Sequence, residues 1–531
     1  MYFSRPLISL LLLLFTATAW AQSLVEQVTV LTDKQCYLAG ERICVRVDVV
    51  SGSSLSNIAY VELSDTRQMV AQSMVALSDG QGWAEVELPA RMHSGMYQLT
   101  AYTRAMRNQD ESTYFRTLVG VINGEQLSRR DDVCFVPDSL LPVTAAVSSE
   151  VPSVCQPLAE VRVPLPASIP AGCAVSFQRF ALRTNVPLPS SAVAPAATSV
   201  IETSSLYAPE AEGHIVQARP ILQGNYSIQS TRLALVGKTA SLFDGQLQPD
   251  GSYLYYTNGI TGNLPTLVNA YDIEGRAVPM QIVSPYVQQL PARLPELQVS
   301  CSEKELLERA SAARRQAAVN DWMRTDTLTH SVGFMSATPR YFYDLDEYTQ
   351  LSTIHELLIE FVRGVQRRKE NGEALLFTFD PDAHGYSKWP ALVLLDGMPV
   401  HDIDEILEYD AHLVKYVQIY TDRFSFGQSC CHGVISFITR GGRLSNYKLD
   451  VGSQLVSYAF PQDHPVFASH TTHCPPSGCP HSTLLWEPSV RSSHYVFRAP
   501  AAPGTYLLTV QGYQEDGTLY YSQSEIEVKY E

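Results

Sequence analysis

The sequence of 531 residues predicts a mostly β, multidomain protein: β-sandwich domains of immunoglobulin-like type, an α+β module towards the C-terminal end, and two amphipathic helices. Three observations predict it. Short runs of alternating apolar and polar residues recur along the chain, separated by Gly, Pro and Asp turns. Helical periodicity is confined to two stretches, 302–325 and 346–370. About 510 residues follow an N-terminal leader, enough for roughly three to five domains.

The leader has the parts of an export signal. Arg5 supplies positive charge, Leu7 to Thr18 is an apolar core, and Ala19-Trp20-Ala21 forms an A-x-A cleavage site before Gln22. Residues 1–21 are therefore expected to be a signal peptide. No cysteine sits at the cleavage point, where Gln22 stands, so no lipid anchor is expected. No later stretch reaches the roughly 18 uninterrupted apolar residues of a membrane span, so the mature chain is expected to carry no transmembrane segment. The expected location is the periplasm, the outer membrane or the cell surface. The net charge is −16, and −17 once Arg5 leaves with the leader. An acidic surface of this kind disfavours nucleic acid and anionic lipid heads as partners. The ten cysteines are free to pair in an oxidising compartment. Cys36 and Cys44 could bridge a hairpin if the register allows.

Residues 22–125 read as one β-sandwich. Cys44, Arg46 and Asp48 alternate with Val45, Val47 and Val49 after a turn at Ala39-Gly40, and AYVELSD, GWAEVELPA and GMYQLTAYTRAM supply further strands. DKQCYLAGE, LPARMHSGMYQLTAYTRAMRN and VGVIN together resemble the MG2 domain of macroglobulin-like proteins, in the version found in exported Bacteroidetes proteins.

Residues 130–295 predict one or two further sandwiches, from EGHIVQARPIL, TRLALVG and QPDGSYLYYTNG, with a turn at Pro249-Asp250-Gly251 and a Pro/Ser/Ala-rich loop at 187–199. Ser302 and Glu305 form a capping-box pattern ahead of Leu306, Leu307, Ala310, Ala313, Ala317 and Trp322, which predicts a helical linker over 300–330. Leu351, Ile354, Leu358, Phe361, Val362 and Val365 predict a second helix over 346–370, closed by Arg367-Arg368-Lys369 at its negative end.

A module over 340–447 follows. An apolar strand from Leu392 to Leu395 runs into Asp396-Gly397, a tight-turn dipeptide. A strand from Val414 to Tyr420 comes next, then one from Gly433 to Thr439 before Gly441-Gly442. In order and residues, 390–442 resembles the plug domain of TonB-dependent outer-membrane receptors. A receptor barrel of about 22 strands needs several hundred residues, whereas 89 follow Gly442 (531 − 442). The resemblance therefore implies a plug-like module without a barrel. STLLWEPSV, HYVFRAP, GTYLLTVQGY and SEIEVKYE predict a terminal β-sandwich over 455–531.

Motifs of catalysis are incomplete. Gly124-Glu125-Gln126 lacks the cysteine of the macroglobulin thioester motif, so covalent trapping is not expected. His355-Glu356 starts an H-E-x-x-H pattern, but Ile359 stands where the second histidine belongs. Gly237-Lys238-Thr239 ends like a P-loop, but Arg232 replaces its leading glycine. Asp396-Gly397 is read as a turn in which glycine supplies a positive φ, and His401, Asp402 and Asp404 as a solvated loop. Adjacent Cys430 and Cys431 are read as unbridged, since a vicinal disulfide is strained. In HTTHCPPSGCPH, a Cys474–Cys479 disulfide closing a surface loop is weighed against a metal site of His470, His473, Cys474, Cys479 and His481. No cofactor motif is found.

These readings predict a non-enzymatic envelope protein that binds outer-membrane or surface proteins. A thioester-less macroglobulin-like factor that meets proteases, with 187–204 as its exposed segment, is the first alternative. A metal-binding envelope protein is the second.

Overall fold

The structure, a computed structural model, describes residues 26–50, 55–124, 133–142, 146–147, 151–179, 182–190, 207–221, 227–305, 307–308, 311, 333–335, 337–370, 372–426, 429–449, 453–467 and 482–530. The leader, most of the expected 300–330 helix, most of the 187–204 segment and the whole of 470–481 lie outside them. The protein is mostly β, in several sheets. It divides into two compact units. One draws on Met1–Ala211, Gln288–Thr325 and Pro461–Glu531, the other on Glu212–Val287 and Asp326–Phe460.

The first unit opens with a sandwich. A three-stranded sheet of Val28–Thr32, Arg42–Val49 and Gln81–Glu87 faces a five-stranded sheet ordered Cys36–Leu38, Phe115–Ile122, Gly95–Thr103, Ile58–Ser64, Met69–Ala76. Val45 and Val47 are fully buried, as their alternation predicts. Arg46, on the opposite face of the strand, is buried too. Its guanidinium binds Asp48 and donates to the carbonyl oxygens of Gly172 (2.7 Å), Pro488 (2.8 Å) and Ala171 (2.9 Å). Those carbonyls satisfy donors that would otherwise be stranded away from water. Cys36 and Cys44 are unpaired, because their strands belong to different sheets and the hairpin register needed for a bridge does not exist.

The C-terminal strands do not form a sheet by themselves. Thr483–Val490, Gly504–Tyr513 and Leu519–Val528 close around Cys173–Gln178, and His494–Arg498 pairs with Glu160–Pro164. Apolar residues from 161–177 and from 484–528 fill one core, with Val175, Phe177, Leu508 and Ile526 among them.

In the second unit, a four-stranded sheet (Gln246–Leu247, Tyr253–Asn258, Gly213–Pro220, Met280–Val283) packs on a five-stranded one (Gly333–Phe334, Thr239–Asp244, Ile228–Leu235, Asn263–Asp272, Val456–Ala459) through Val216, Leu233, Tyr255 and Val268. Val456–Ala459, expected in the terminal domain, is thus the edge strand of this sheet. The α+β module is the rest of the unit. Its sheet runs Tyr341–Asp344, Val414–Phe426, Ser429–Thr439, Leu392–Leu395, Met398–Pro399. Leu392–Leu395 lies parallel to Ser429–Thr439, and the other pairs are antiparallel. Val393, Val417, Phe437, Ile406 and Leu357 are in its core.

The expected 346–370 helix is shorter. It spans Ile354–Glu360 and ends at Phe361. Gly364, at φ +80°, then turns the chain into the strand Val365–Glu370, which pairs with Glu373–Asp380. The Arg-Arg-Lys run sits on that strand, not on a helix end. Arg368 lies over the Phe377 ring at 4.3 Å, a contact that needs the hairpin.

Candidate functional site

An exposed aromatic surface of the α+β module lies along one sheet edge. Tyr341–Asp344 pairs with Val414–Phe426 on its inner side, with Tyr343 opposite Val417, and no described strand pairs with its outer side. Alternation puts Tyr343 in the core and leaves Phe342 half exposed, against Tyr416 at 5.4 Å. Tyr343 meets Tyr348 and Phe361 edge-on or tilted, and Tyr348 stacks on Phe361 at 4.7 Å. The segment after the helix lies alongside, held by the Arg363 N–H donating to the Tyr343 hydroxyl at 2.8 Å. Between strand and segment runs a groove of about 640 Å³, lined by these aromatics with Arg340, Ile359, Glu360 and Arg363. Ile359 is 67% exposed.

The charges around the groove are partly committed. Asp344 pairs with Lys415 at 2.7 Å, and Asp346 pairs with Lys415 and with Arg440 at 2.7 Å. Hydrogen bonds to Asp344 and Asp346 hold the Lys415 ammonium above the usual lysine range, and Lys415 and Arg440 hold Asp346 below the usual carboxylate range. Arg340 and Arg363 are both exposed, and neither has an ion pair among the described residues. Arg340 rests near the Tyr341 and Phe379 rings at about 6 Å.

Asp396-Gly397 is a turn, as its sequence predicts. Both residues have positive φ (+47° and +84°), and the loop joins Leu395 to Met398 in a two-residue hairpin. The Asp396 side chain is fully buried and has a structural task. Its carboxylate accepts from the Thr439 N–H (2.7 Å), the Thr439 hydroxyl (2.6 Å) and the Leu444 N–H (2.7 Å). Burial pushes its pKa up, against the lowering by these bonds.

The other residues singled out in sequence are scattered and mostly structural. Asp402 caps the helix Ile403–Leu407 by accepting from the Glu405 N–H at 3.0 Å. Asp404 accepts from the Ala374 N–H and pairs with Arg367. His401 stacks on Tyr271 at 4.4 Å. His355 contacts Arg367 at 2.9 Å, and Glu356 accepts from the Ser352 N–H at 2.8 Å. Gly237-Lys238-Thr239 joins two strands and precedes no helix. Cys430 and Cys431 are both unpaired and sit within a strand, so their side chains leave on opposite faces. His470, His473, Cys474, Cys479 and His481 lie outside the described residues. Among the described residues no group of three or more His, Cys, Asp or Glu side chains is placed to hold a metal. The groove itself was not anticipated. The signal for it was the aromatic run Tyr341-Phe342-Tyr343, which alternation splits between core and surface.

In the first unit a polar cavity of about 340 Å³ is lined by Lys34, Gln35, Glu41, Arg183 and Ser482, among others. Lys34 and Glu41 pair at 2.7 Å with both side chains nearly buried. The Gln35 amide nitrogen is buried there without a hydrogen-bond partner among the described residues.

No protein-family model matches the chain, and no curated protein matches it. Among solved structures it is similar to the native alpha-2-macroglobulin of E. coli, at 10% identity over 96% of this chain and 23% of that one, with a TM-score of 0.16. It is similar to Salmonella alpha-2-macroglobulin reacted with methylamine (10% identity, 96% and 24% covered, TM-score 0.16). The same holds for trypsin-activated alpha-2-macroglobulin from E. coli (10% identity, 97% and 24% covered, TM-score 0.16). The chain spans about a quarter of the length of these proteins.

Proposed function

We propose that this chain is a non-enzymatic, exported protein of the cell envelope that docks onto outer-membrane or surface proteins through a macroglobulin-like sandwich and a plug-like module. One observation carries the reading: the groove beside Tyr341–Asp344. A sheet edge is a template for another chain, and edges not meant for pairing are commonly blunted by charge, proline or a covering element. Beside this edge Phe342 on the strand and Ile359 on the helix Ile354–Glu360 are both exposed, above the stacked Tyr348 and Phe361 rings. Exposed aromatics beside an open edge are the ingredients of strand-addition recognition.

The test is site-specific photo-crosslinking of the full chain in its source cells. A benzoylphenylalanine replaces Phe342 or Ile359, and an exposed position away from the groove, Leu247, serves as control. A discrete crosslinked envelope protein from the two groove positions and none from the control is the expected result. Crosslinks that are absent, or as frequent from Leu247, would overturn the proposal.

A further inference from the structure

We infer that the groove accepts one extended segment of a partner protein, added as a strand beside Tyr341–Asp344, in which apolar and acidic side chains alternate. This rests on the docking reading above and specifies its ligand.

The shape of the site calls for an extended segment. The groove runs along a strand whose inner side is paired and whose outer side has no described strand, so a guest strand would find backbone groups on one side. It is floored by Tyr348 and Phe361 and rimmed by Ile359, so every second guest residue would meet apolar surface. Charge selects the residues between. Asp344 and Asp346 are taken up by Lys415 and Arg440. Two arginines without ion partners and a single carboxylate, Glu360, remain among the lining side chains. That leaves a local surplus of positive charge on a chain whose net charge is −16. An acidic segment complements it and a basic one is repelled. The same surplus disfavours a second copy of this chain as the occupant. Two-fold pairing of one edge with itself would bring two grooves of the same positive surplus together.

The probes are two fluorescein-labelled peptides, Glu-Val-Glu-Phe-Glu-Val-Glu-Val and its counterpart with lysine for every glutamate, titrated against the full mature chain by anisotropy. Hydrogen exchange then locates the bound peptide. The glutamate peptide is expected to bind about tenfold or more tightly than the lysine peptide. Its affinity should fall about tenfold in the Arg340→Glu, Arg363→Glu double variant, and protection should gather in 340–344. Both arginines are exposed, and an unchanged circular dichroism spectrum would show that the variant is folded. Equal binding of the two peptides, binding of neither, or protection elsewhere would overturn the inference. So would a dimer in sedimentation whose groove is protected without peptide. Crosslinks from position 342 in cells together with any of these failures leave the docking reading standing and remove only the acidic-strand inference. Failure of both experiments removes both.

Discussion

Asp396 and Thr439 lie 43 residues apart in sequence and are joined by two hydrogen bonds, the Thr439 N–H to one carboxylate oxygen at 2.7 Å and the Thr439 hydroxyl to the other at 2.6 Å. Asp396 follows the end of one strand and Thr439 ends the parallel strand beside it. The bonds therefore fix the hairpin at the point where the sheet stops, and the Leu444 N–H closes the third side at 2.7 Å.

Asp396→Ala would strand three buried donors. Each unsatisfied buried group costs about 1–3 kcal/mol, so a loss of about 3 kcal/mol or more is expected for the second unit. Urea unfolding followed by the fluorescence of Trp389, which lies in that unit, is the measurement. A loss below about 1 kcal/mol would mean that water replaces the carboxylate and that the turn is held elsewhere.

Gly397 and Gly372 separate two effects in one experiment. Both have positive φ, +84° and +92°. A Cβ at Gly397 would stand 2.6 Å from the Leu235 carbonyl oxygen, whereas one at Gly372 meets nothing within 4 Å. Gly372→Ala is expected to cost about 1 kcal/mol, the left-handed penalty alone. Gly397→Ala should cost clearly more, since backbone has to shift. Equal losses by chemical denaturation would show that the close approach at Leu235 is not there.

How much of this was legible in sequence follows from how local each signal is. The three strands and the turn at Asp396-Gly397 were legible because a two-residue hairpin and period-two runs are local. The 346–370 helix was overextended because Phe361, Val362 and Val365 continue a helical spacing by coincidence. The hairpin dipeptide Asn371-Gly372 marked the strand pair that overrides it. Nothing local could show that Cys173–Gln178 closes with Thr483–Val490, or that Val456–Ala459 joins the other unit. Those pairings join parts of the chain hundreds of residues apart, and alternation is the same whichever partner a strand takes. The groove was hidden for the same reason: an edge is a property of strand order. Arg46 reads as a surface residue by alternation and is buried only because Ala171, Gly172 and Pro488 cover it.

Arg46 should therefore tolerate no shorter or neutral replacement. Arg46→Met leaves the buried Asp48 carboxylate, among the described residues, with the Gln81 amide (2.7 Å) alone beside it and three carbonyls with a lost donor. Breaking one side of a buried ion pair costs about 3–5 kcal/mol. Arg46→Lys keeps the charge but lacks the planar fork, so an intermediate loss is expected. Chemical denaturation of the first unit, read at Trp486, checks the order. Arg46→Met as stable as the parent would show the network is not formed.

Glu41 and Asp396 predict opposite responses to acid. Burial alone would raise the Glu41 carboxyl, but Lys34, Ser482 and the Leu38 N–H outweigh it and hold its pKa below the ordinary 4.5. A carboxyl lowered by folding stabilises the fold above its unfolded value and loses that contribution as pH falls through the folded one. The deficit of Glu41→Gln should thus be largest near neutrality and shrink below about pH 4.5. Asp396 is raised above 3.8, mainly by burial. Its contribution is whole below that value and is lost as pH rises through the folded pKa. The deficit of Asp396→Asn should therefore grow as pH falls. Melting temperatures of the two variants against the parent, taken over the acid range, decide it, and parallel profiles would contradict both assignments.

Cysteine reactivity tests sheet membership directly. Burial, with Glu41 adding and Lys34 opposing, pushes the Cys36 thiol up to about 12, and burial carries Cys173 to about 11. A thiol of this kind has almost no thiolate at neutral pH and no access for a reagent. Cys301 and Cys430 are exposed. Cys431, next to Cys430 but on the other face of the strand, is partly buried and raised by burial to about 11. Brief N-ethylmaleimide treatment of the native protein, followed by peptide mapping, should label Cys301 and Cys430 first, Cys431 later, and Cys36 and Cys173 only after unfolding. The contrast within the adjacent pair is the sharpest part, since the two differ in face and not in position along the chain. Equal labelling of Cys430 and Cys431 would mean the strand ends before them. A Cys36–Cys44 disulfide in the map would place in one hairpin two strands that here belong to different sheets.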